Sequence, residues 1–358
     1  MSSDTRTDGR LGSVADGYND RFGHLFGEMN AWQLTFLALS FVTLIAAPVW
    51  TSLLGVGGFL RTLALASIWA ILAMGWDIQS GYTGYISFGH AVLSGGAAYT
   101  TALLLAHVNP DLPFLVTAPI SVLVALGIGL AIAIPSLRLR GPYFSLVTFV
   151  AGLIFYQLTY AFSGFTGGEL GQRVGRIEFE LAGLQVTTLD PVTRYYMMLV
   201  PMLVIAVVLL YIARSNVGMI LMAIRENEEA VAAAGIDTTK FKIWSFVLSS
   251  IPMGIGGVLL AYFYGTVNPL NFLLVDRSIE MIAMAVVGGM SSILGPIGGA
   301  FLVIFLREEV LHVFGTTGRW VALWTVVLLV LVFARDGLFR KLWHALGDRG
   351  RADGGDDE

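Results

Sequence analysis

Few residues of this chain have a type and spacing that could carry out chemistry. The five histidines are scattered, cysteine is absent, and the sequence contains no HExxH motif or other metal-ligand cluster. Only three lysines occur, and no GxxxxGK motif is followed by serine or threonine, so the chain lacks a nucleotide-binding loop. No nucleophile stands beside a base. We therefore expect that the chain is not an enzyme and binds no cofactor, and that any ATP and Mg²⁺ are held by another chain.

A glycine-rich stretch, SGYTGYISFGHAVLSGGAAY at 80–99, is the first pattern that suggests a purpose. Glycine in a helix interior costs about 1 kcal/mol relative to alanine, and this stretch has too many glycines for a regular helix. The five are Gly81, Gly84, Gly89, Gly95 and Gly96. Membrane helices broken at glycine expose backbone polar groups only inside the protein or beside a wet cavity. The stretch therefore predicts a broken helix near a translocation path.

Two polar side chains accompany these glycines. Ser87 is predicted to cap the helix that resumes after the break. His90 is a lone imidazole in an apolar setting, so we expect a hydrogen bond to the backbone and not a role as a ligand or proton carrier.

A second glycine-rich stretch, VVGGMSSILGPIGGA, occupies 286–300. Pro296 follows Gly295, so a plain helix break accounts for the pattern. Its similarity to the first stretch hints at an internal repeat, but the spacings do not superimpose.

Composition indicates an integral membrane protein. Of the 358 residues 56% are hydrophobic and 13% are charged, compared with about 25% charged residues in soluble domains. The net charge of -4 gives no case for nucleic-acid binding. Apolar runs that approach the length of a spanning helix, ~20 residues, lie at 31–53, 59–76, 90–107, 114–135, 143–162, 195–213, 241–264, 279–290, 293–306 and 320–334. We predict an all-α polytopic protein with about ten transmembrane helices, or eight to ten if the short eighth and ninth runs form one re-entrant element.

Arginine and lysine set the predicted orientation, because short loops rich in these residues stay in the cytoplasm. With ten spans, the segment 214–240 and both termini fall on the cytoplasmic side, and the loop 163–193 falls outside. Residues 1–30 are polar and predicted to be a disordered tail, since a cleavable signal peptide would have an apolar core nearer the start. Residues 31–334 then form the membrane domain, and 335–358 a C-terminal tail.

The predicted external loop has a pattern of its own. It opens with the flexible sequence SGFTGGELG and then alternates apolar and polar residues in RIEFEL and LQVTT, on either side of Ala182 and Gly183. Alternation around a small turn is typical of a β-hairpin. The loop could be a lid over the outer mouth or a docking surface for an external binding protein.

The segment 214–246, RSNVGMILMAIRENEEAVAAAGIDTTKFKIWSF, is polar but has the composition of a helix. Residues 226–234 would form a helix of about nine residues, too short to be stable alone. Gly235 stands where a left-handed C-terminal cap favours glycine. The residues expected on the buried helix face are Ile220, Ala223, Ile224 and Val231. Since 232–235 has almost no side-chain bulk, another protein could approach its backbone, and we predict a short docking helix.

Five stretches, in order along the chain, resemble the branched-chain amino acid permease family of ABC importers, its LivM-like and LivH-like subunits. The docking segment is similar in AIRENEEAVAAAG, and the first glycine stretch matches in Gly84, Ser87, Gly89, His90, Gly96 and Tyr99. The others are LRLRGPYFSLVTF at 137–149, FTGGELG at 165–171 and the second glycine stretch.

The resemblance implies a permease subunit in the cell membrane of a prokaryote. It implies pairing with a second permease, two cytoplasmic ATPases and an external solute-binding protein. By the same resemblance, the residues that couple to the ATPases are Arg225, Glu226, Glu229, Ala232 and Gly235. The path and helix-break residues are Gly81, Gly84, Ser87, Gly89, His90, Gly96, Tyr99, Gly288, Gly289, Gly295 and Gly299.

Alternative functions remain open at the level of sequence. Relatives of the family carry urea or short amides instead of amino acids. A secondary transporter would need membrane-buried acids to couple ions, and the candidates Asp77 and Glu280 are expected near span ends, where water can solvate them. A channel is a third possibility. An ATPase that copurifies with the chain would favour the importer.

Overall fold

The computed structural model of the chain describes residues 31–136, 139, 141–181, 184–334, 337–339 and 341. The predicted N-terminal tail and nearly all of the predicted C-terminal tail lie outside these residues.

The described residues are mostly helical. The helices are α1 (Ala31–Ile45), α2 (Ala47–Leu53), α3 (Phe59–Trp76, extended by a π-helical turn Asp77–Gly81), α4 (His90–His107), α5 (Phe114–Ser136), α6 (Pro142–Ala161), α7 (Ser163–Thr166), α8 (Pro191–Ala213), α9 (Asn216–Ala233), α10 (Thr238–Tyr264), α11 (Pro269–Phe272), α12 (Val275–Gly288), α13 (Leu294–Phe305, followed by a π-helical turn Leu306–Val310 and a 3-10 turn Leu311–Phe314) and α14 (Gly315–Phe333). The strands are β1 (Gln172–Arg173), β2 (Glu178–Leu181), β3 (Leu184–Thr187) and β4 (Thr266–Val267).

Within the described residues, five helices are long and apolar enough to cross a membrane: α3 with its π-helical end, α5, α6, α8 and α10. Helices α1 and α2 form a pair bent by 65°, which would make a sixth span if both halves belong to one element. The prediction of an all-α membrane protein agrees with this architecture. The count of ten spans stays a prediction, because α12 and α13 have 14 and 12 residues, about 21 and 18 Å of helix against ~30 Å of hydrocarbon.

Helix α3 forms the centre of the molecule. Nearly all of its residues are buried, including Trp69 and Trp76, which expose no surface. Helices α8, α10, α12 and α13 pack around it. A helix that is apolar on every side has no amphipathic stripe, so it can be packed against other helices on all sides without burying an unpaired polar face.

Helix α10 connects the two ends of the bundle. Its 27 residues span about 40 Å. At its start it adjoins α9, and we call this the α9 end. Beyond its other terminus strand β4 pairs antiparallel with β1, with Gln172 opposite Val267, and we call this the β1–β4 end. Strands β2 and β3 also pair antiparallel, with Glu178 opposite Thr187, and the predicted turn between them lies outside the described residues.

Carboxylate side chains cap helices at each end. At the start of α10, Asp237 Oδ1 accepts a hydrogen bond from the backbone N–H of Lys240 (3.1 Å). At the start of α8, Asp190 Oδ2 accepts hydrogen bonds from the hydroxyl and the backbone N–H of Thr193, both 2.7 Å. These two bonds lower the pKa of Asp190, because they stabilise its charged form.

Glycines occur both between helices and within them. Gly84, with φ +76°, lies between α3 and α4, as predicted for a break. Gly95 and Gly96, however, lie inside the regular helix α4, which corrects the expectation that this stretch is too glycine-rich for a helix interior. The reason is packing: a Cβ on Gly95 would stand 2.7 Å from the carbonyl oxygen of Phe272. Close helix approach offsets the conformational cost of glycine.

Candidate functional site

The first helix break is held in shape by a chain of hydrogen bonds. The indole N–H of Trp76 donates to the carbonyl of Ser87 (2.9 Å), and the backbone N–H of Ser87 donates to Ser80 Oγ (3.1 Å). The Gln79 amide donates to the carbonyl of Tyr85 (3.1 Å). All of these residues except Tyr85 are buried, so the polar groups freed by the break are satisfied within the protein, as a break at membrane depth requires.

The start of α4 is stabilised differently from the prediction. Ser87 Oγ accepts a hydrogen bond from the N–H of Gly89 (3.3 Å), which lies before the helix. The N-cap residue is Gly89 itself, and it provides no side-chain cap. The N–H of Ala91, in the first turn of α4, instead donates to Ser278 Oγ of α12 (2.9 Å). A hydroxyl from a distant helix therefore satisfies a donor of the first turn, and hydropathy gives no signal for Ser278.

His90 is fully buried, and its partner differs from the expected one. Its Nε2 forms a hydrogen bond with the hydroxyl of Ser249 on α10 (2.8 Å), not with the backbone. The imidazole also stacks on Phe246, with ring centroids 5.9 Å apart. Among the described residues we find no group of three or more His, Cys, Asp or Glu side chains able to hold a metal ion.

The remaining predicted residues of the first stretch spread along α4. A Cβ on Gly89 would stand 2.9 Å from the carbonyl oxygen of Thr148 on α6, so this glycine allows close packing at the break. Gly96 faces Ile128 of α5, and Tyr99 is 6% exposed. Tyr99 lies nine residues beyond His90, about 13 Å further along the helix. The structure therefore does not bring Gly96 and Tyr99 together with the break itself.

The second glycine stretch forms a tight crossing and a short loop. A Cβ on Gly288 would overlap the carbonyl oxygen of Gly295, and one on Gly299 would overlap that of Met284. Helices α12 and α13 thus approach backbone to backbone. Between them Gly289 has φ +116°, and the loop continues to α13 at Leu294. Helix packing explains these four glycines, and a role in lining a path stays a prediction.

Asp77 joins the two helix breaks. Its Oδ1 accepts a hydrogen bond from the backbone N–H of Ser291 (2.7 Å), and its Oδ2 accepts from Ser292 (3.3 Å) and Ile293 (3.5 Å). Asp77 exposes no surface, so the expectation that water solvates it near a span end is wrong. Backbone donors of the second break therefore hold this carboxyl group in place.

Arg225 of α9 contacts both breaks. Its Nη1 donates to the carbonyl oxygen of Gly81 (3.0 Å) and to the hydroxyl of Ser291. Ser291 Oγ also donates to the Gly81 carbonyl (2.8 Å). A Cβ on Gly84 would stand 3.0 Å from Arg225 Cγ, so the glycine leaves room for the arginine stem. The sequence predicted Arg225 as a residue that couples to the ATPases, and this role stays a prediction. In the structure its guanidinium turns toward the helix breaks.

Helix α9 is two helices joined at a kink. Asn227 has an extended backbone (φ -158°, ψ 95°), and its Oδ1 accepts from the N–H of Ala230 (3.0 Å), as a helix N-cap does. We call residues 228–233 the short piece. The prediction of a short helix near 226–234 agrees with this break. Gly235, with φ +84°, follows the short piece, and its N–H donates to the carbonyl of Ala232 (3.0 Å).

The buried face of α9 agrees with the predicted face in part. Ile224 and Val231 are buried as predicted, whereas Ile220 is half-buried and Ala223 is exposed. Leu221, one turn before Ile224, is buried in addition. The exposed surface of the segment contains Glu226, Glu229, Ala232, Ala233 and Gly235.

A buried lysine anchors the short piece to α10. Lys242 Nζ lies 2.7 Å from Glu228 Oε1 and 4.7 Å above the ring of Tyr85. The hydroxyls of Tyr85 and Thr238 also donate to Glu228. Burial alone would raise the pKa of Glu228, but the hydrogen bonds from Lys242, Tyr85 and Thr238 outweigh it and lower the pKa. Sequence reasoning missed Glu228, although a lysine inside the apolar run that begins at 241 is a signal that calls for a carboxylate partner.

Glu280 is also buried, contrary to expectation. It is 3% exposed, and its two carboxylate oxygens lie 2.9 Å from Arg277 Nη1 and 3.1 Å from Arg307 Nη1. Two guanidinium groups therefore compensate the charge that water was expected to solvate.

The known proteins that this chain resembles are permease proteins. A family model described as "Branched-chain amino acid transport system / permease component" matches residues 58–334. The permease protein LivM of the high-affinity branched-chain amino acid transport system of Escherichia coli strain K12 is 28% identical over 296 residues, which cover 77% of this chain and 68% of LivM.

Two further relatives match over nearly their whole length. The corresponding permease protein BraD of Pseudomonas aeruginosa is 27% identical over 293 residues, covering 77% of this chain and 92% of BraD. The permease protein LivH of Salmonella typhimurium is 23% identical over 293 residues, covering 76% of this chain and 92% of LivH. No solved structure matches the chain significantly.

Proposed function

Because this chain belongs to the branched-chain amino acid transport permease family, we propose that it imports branched-chain or other hydrophobic amino acids as a transmembrane subunit of an ABC transporter. The three relatives named above are permease proteins of branched-chain amino acid transport systems. The observation that carries the proposal is the exposed short piece of α9, which ends at a left-handed Gly235 in a chain of this family.

The partners follow from this assignment. We propose that two cytoplasmic ATPases, which hold ATP and Mg²⁺, contact the short piece at Glu229 and Ala232 and the residues beside it at Glu226 and Gly235. The nearly bare backbone of 232–235 supports this contact, since close approach needs small residues. A second permease subunit would complete the path, and an external solute-binding protein would deliver the substrate to it.

The path itself is proposed to run beside the two helix breaks, near Gly81, Gly84, Ser87, Gly89 and His90. Support comes from the polar backbone groups gathered there inside an otherwise apolar bundle. Further candidate path residues are Gly96, Tyr99, Gly288, Gly289, Gly295 and Gly299.

The chain is a multi-pass membrane protein, as its apolar helices and its family indicate. We further propose the cell membrane of a prokaryote, with both termini and the segment 214–240 in the cytoplasm and the loop 163–193 outside. The supporting observation is the distribution of arginine and lysine in the sequence.

The test is reconstitution with the partners encoded beside the chain. The purified complex, with its ATPases, should take up leucine, isoleucine or valine into proteoliposomes only when ATP and the binding protein are supplied. Calorimetry on the binding protein with these amino acids and with urea identifies the substrate. Uptake driven by an ion gradient without ATP, or failure of any ATPase to copurify, would contradict the proposal.

A further inference from the structure

The two helix breaks are fastened to each other although they are far apart in the chain. The carboxyl group of Asp77, in the π-helical end of α3, accepts hydrogen bonds from the backbone N–H groups of residues 291, 292 and 293. Ser291 Oγ donates back to the carbonyl of Gly81 (2.8 Å). A displacement of one break therefore cannot occur without either moving the other or breaking these bonds.

One side chain of α9 is attached to this junction. Arg225 Nη1 donates both to the Gly81 carbonyl of the first break and to the Ser291 hydroxyl of the second. Arg225 stands two residues before the kink at Asn227, and the short piece that we propose as the ATPase contact begins one residue after the kink. The kink thus separates the junction from the surface that the ATPases would move.

The short piece has a separate attachment. Glu228 pairs with Lys242 of α10 and also accepts a hydrogen bond from the hydroxyl of Tyr85, a residue of the first break. This second attachment joins the short piece to α10 and to the first break, whereas Arg225 contacts the first break and the second.

The loop at the second break has an unusual backbone and lies beside a cavity. Ser291 (φ +61°) and Ile293 (φ +51°) occupy the left-handed region, which non-glycine residues rarely adopt and which surrounding contacts must enforce. A cavity of about 300 Å³ lies beside the loop, lined by Tyr82, Arg214, Met222, Ser291 and Ser292 among others. The loop therefore has both strained backbone and space to move into.

We propose that Arg225 is a positioning residue that couples the short piece of α9 to both helix breaks, so that α3–α4 and α12–α13 shift together when the ATPases move. The inference rests on the proposed function. It assigns Arg225, Ser291 and Asp77 to transmission inside the subunit, and it leaves the surface of 226–235 to contact the ATPases.

The first test measures coupling in the reconstituted complex as the substrate transported for each ATP hydrolysed. In Arg225→Ala we expect this ratio to fall by about tenfold, a size typical of coupling between sites. Arg225→Lys, which keeps a donor and the charge, should restore part of it. Lys240→Ala, which removes an exposed cation from the same segment, is the matched control and should keep the parent ratio. If Arg225→Ala does not accumulate, Ser291→Ala removes only the hydroxyl link and should lower the ratio in the same direction.

The second test reads the positions of the elements directly. The chain has no cysteine, so spin labels at Ile86→Cys, in the first break, and Ala230→Cys, in the short piece but not among the proposed contact residues, are the only labels in this subunit. Both sites are exposed. We expect the distance between these labels to stay constant when ATP binds to the parent complex. In Arg225→Ala the distribution of label-to-label distances should shift and broaden when ATP binds.

The outcomes separate this inference from the proposed function. An unchanged transport ratio and an unchanged label distance in Arg225→Ala would overturn the role of Arg225 while the importer assignment stands. Loss of the ATPases from the Arg225→Ala complex would also overturn it, because Arg225 would then belong to the docking surface. A parent complex without ATPases would instead refute the proposed function.

Discussion

Gly235 shows how one residue serves two requirements at the end of the short piece. Its φ of +84° is a left-handed conformation that costs other residues about 1–2 kcal/mol. Among the residues that the structure describes, a Cβ at this position would meet no atom within 4 Å. Conformation, and not space within the subunit, therefore requires glycine here, and the open space outside is available to a partner.

The first prediction concerns bulk at this position. We expect Gly235→Trp still to insert in the membrane and accumulate, because its left-handed backbone costs only about 1–2 kcal/mol and its side chain would point into open space. Uptake should fall by about tenfold or more, since the indole would occupy the surface proposed for the ATPases. Uptake in proteoliposomes and copurification of the ATPases are the measurements.

Gly235→Asn is the matched control, because asparagine tolerates the left-handed region better than other residues do. It should retain most of the uptake. If the tryptophan variant transports like the parent, the short piece does not meet the ATPases at Gly235.

The second prediction concerns pH and belongs to Glu228. Its pKa in the folded protein lies below the ordinary value of 4.5, because hydrogen bonds to its charged form outweigh burial. A depressed pKa means that the pair with Lys242 stabilises the short piece fully above the ordinary value and loses this effect as pH falls through the folded pKa. We expect a spin label at Ala233→Cys in the purified subunit to gain mobility only below about pH 4.5.

Glu228→Gln supplies the comparison for this titration. It removes the charge and leaves the buried Lys242 without a carboxylate, so the label should already be mobile at neutral pH and change little on acidification. A parent spectrum that changes between pH 7 and 5 would show that another group controls the short piece.

At the scale of elements, glycine permits helices to cross closely at several points. The α12–α13 crossing is the tightest of the sites considered above, because Gly288 and Gly299 each lie against backbone atoms of the other helix. Backbone cannot move aside as a flexible side chain can. The crossing therefore has no room for a methyl group.

The third prediction tests this crossing. Gly299→Ala should destabilise the subunit by about 1–3 kcal/mol, the usual cost of overpacking. Gly127→Ala in α5 is the control: a Cβ there meets nothing within 4 Å, so the change should be neutral or raise stability by about 1 kcal/mol through helix propensity. Thermal unfolding in detergent compares the two. Equal melting temperatures would contradict the packing.

At the scale of the whole molecule, α10 places the α9 end and the β1–β4 end about 40 Å apart. This distance exceeds the hydrocarbon thickness of ~30 Å, so the two ends belong on opposite sides of a bilayer if α10 spans it. From the arginine and lysine residues of the loops we propose that the α9 end faces the cytoplasm and the β1–β4 end faces outside.

The fourth prediction tests that orientation by labelling intact cells with an impermeant thiol reagent. Leu170→Cys, at the β1–β4 end and 88% exposed, should react from outside. Ala233→Cys, at the α9 end, should react only after the cells are opened. Because the chain has no native cysteine, label found on the purified chain reports only the introduced thiol. External reaction at Ala233→Cys would exclude contact between the short piece and cytoplasmic ATPases.

The sequence by itself determined the membrane class, the two helix breaks, the glycine cap at 235 and the family. These features depend on local properties, namely hydropathy, glycine content and ordered motifs, which can be read without knowing how the helices pack. His90 shows what these local properties cannot predict. Its burial was predictable from an apolar neighbourhood, but its partner Ser249 lies 159 residues away.

Only the tertiary structure decided which polar groups meet. Asp77 binds backbone 214 residues later, and Arg225 reaches Gly81 across 144 residues. In helices that are apolar on nearly every side, the sequence carries no stripe that shows which face turns inward. The face is chosen by close packing of small residues and by the need to satisfy each buried polar group, and both conditions depend on the neighbouring helices.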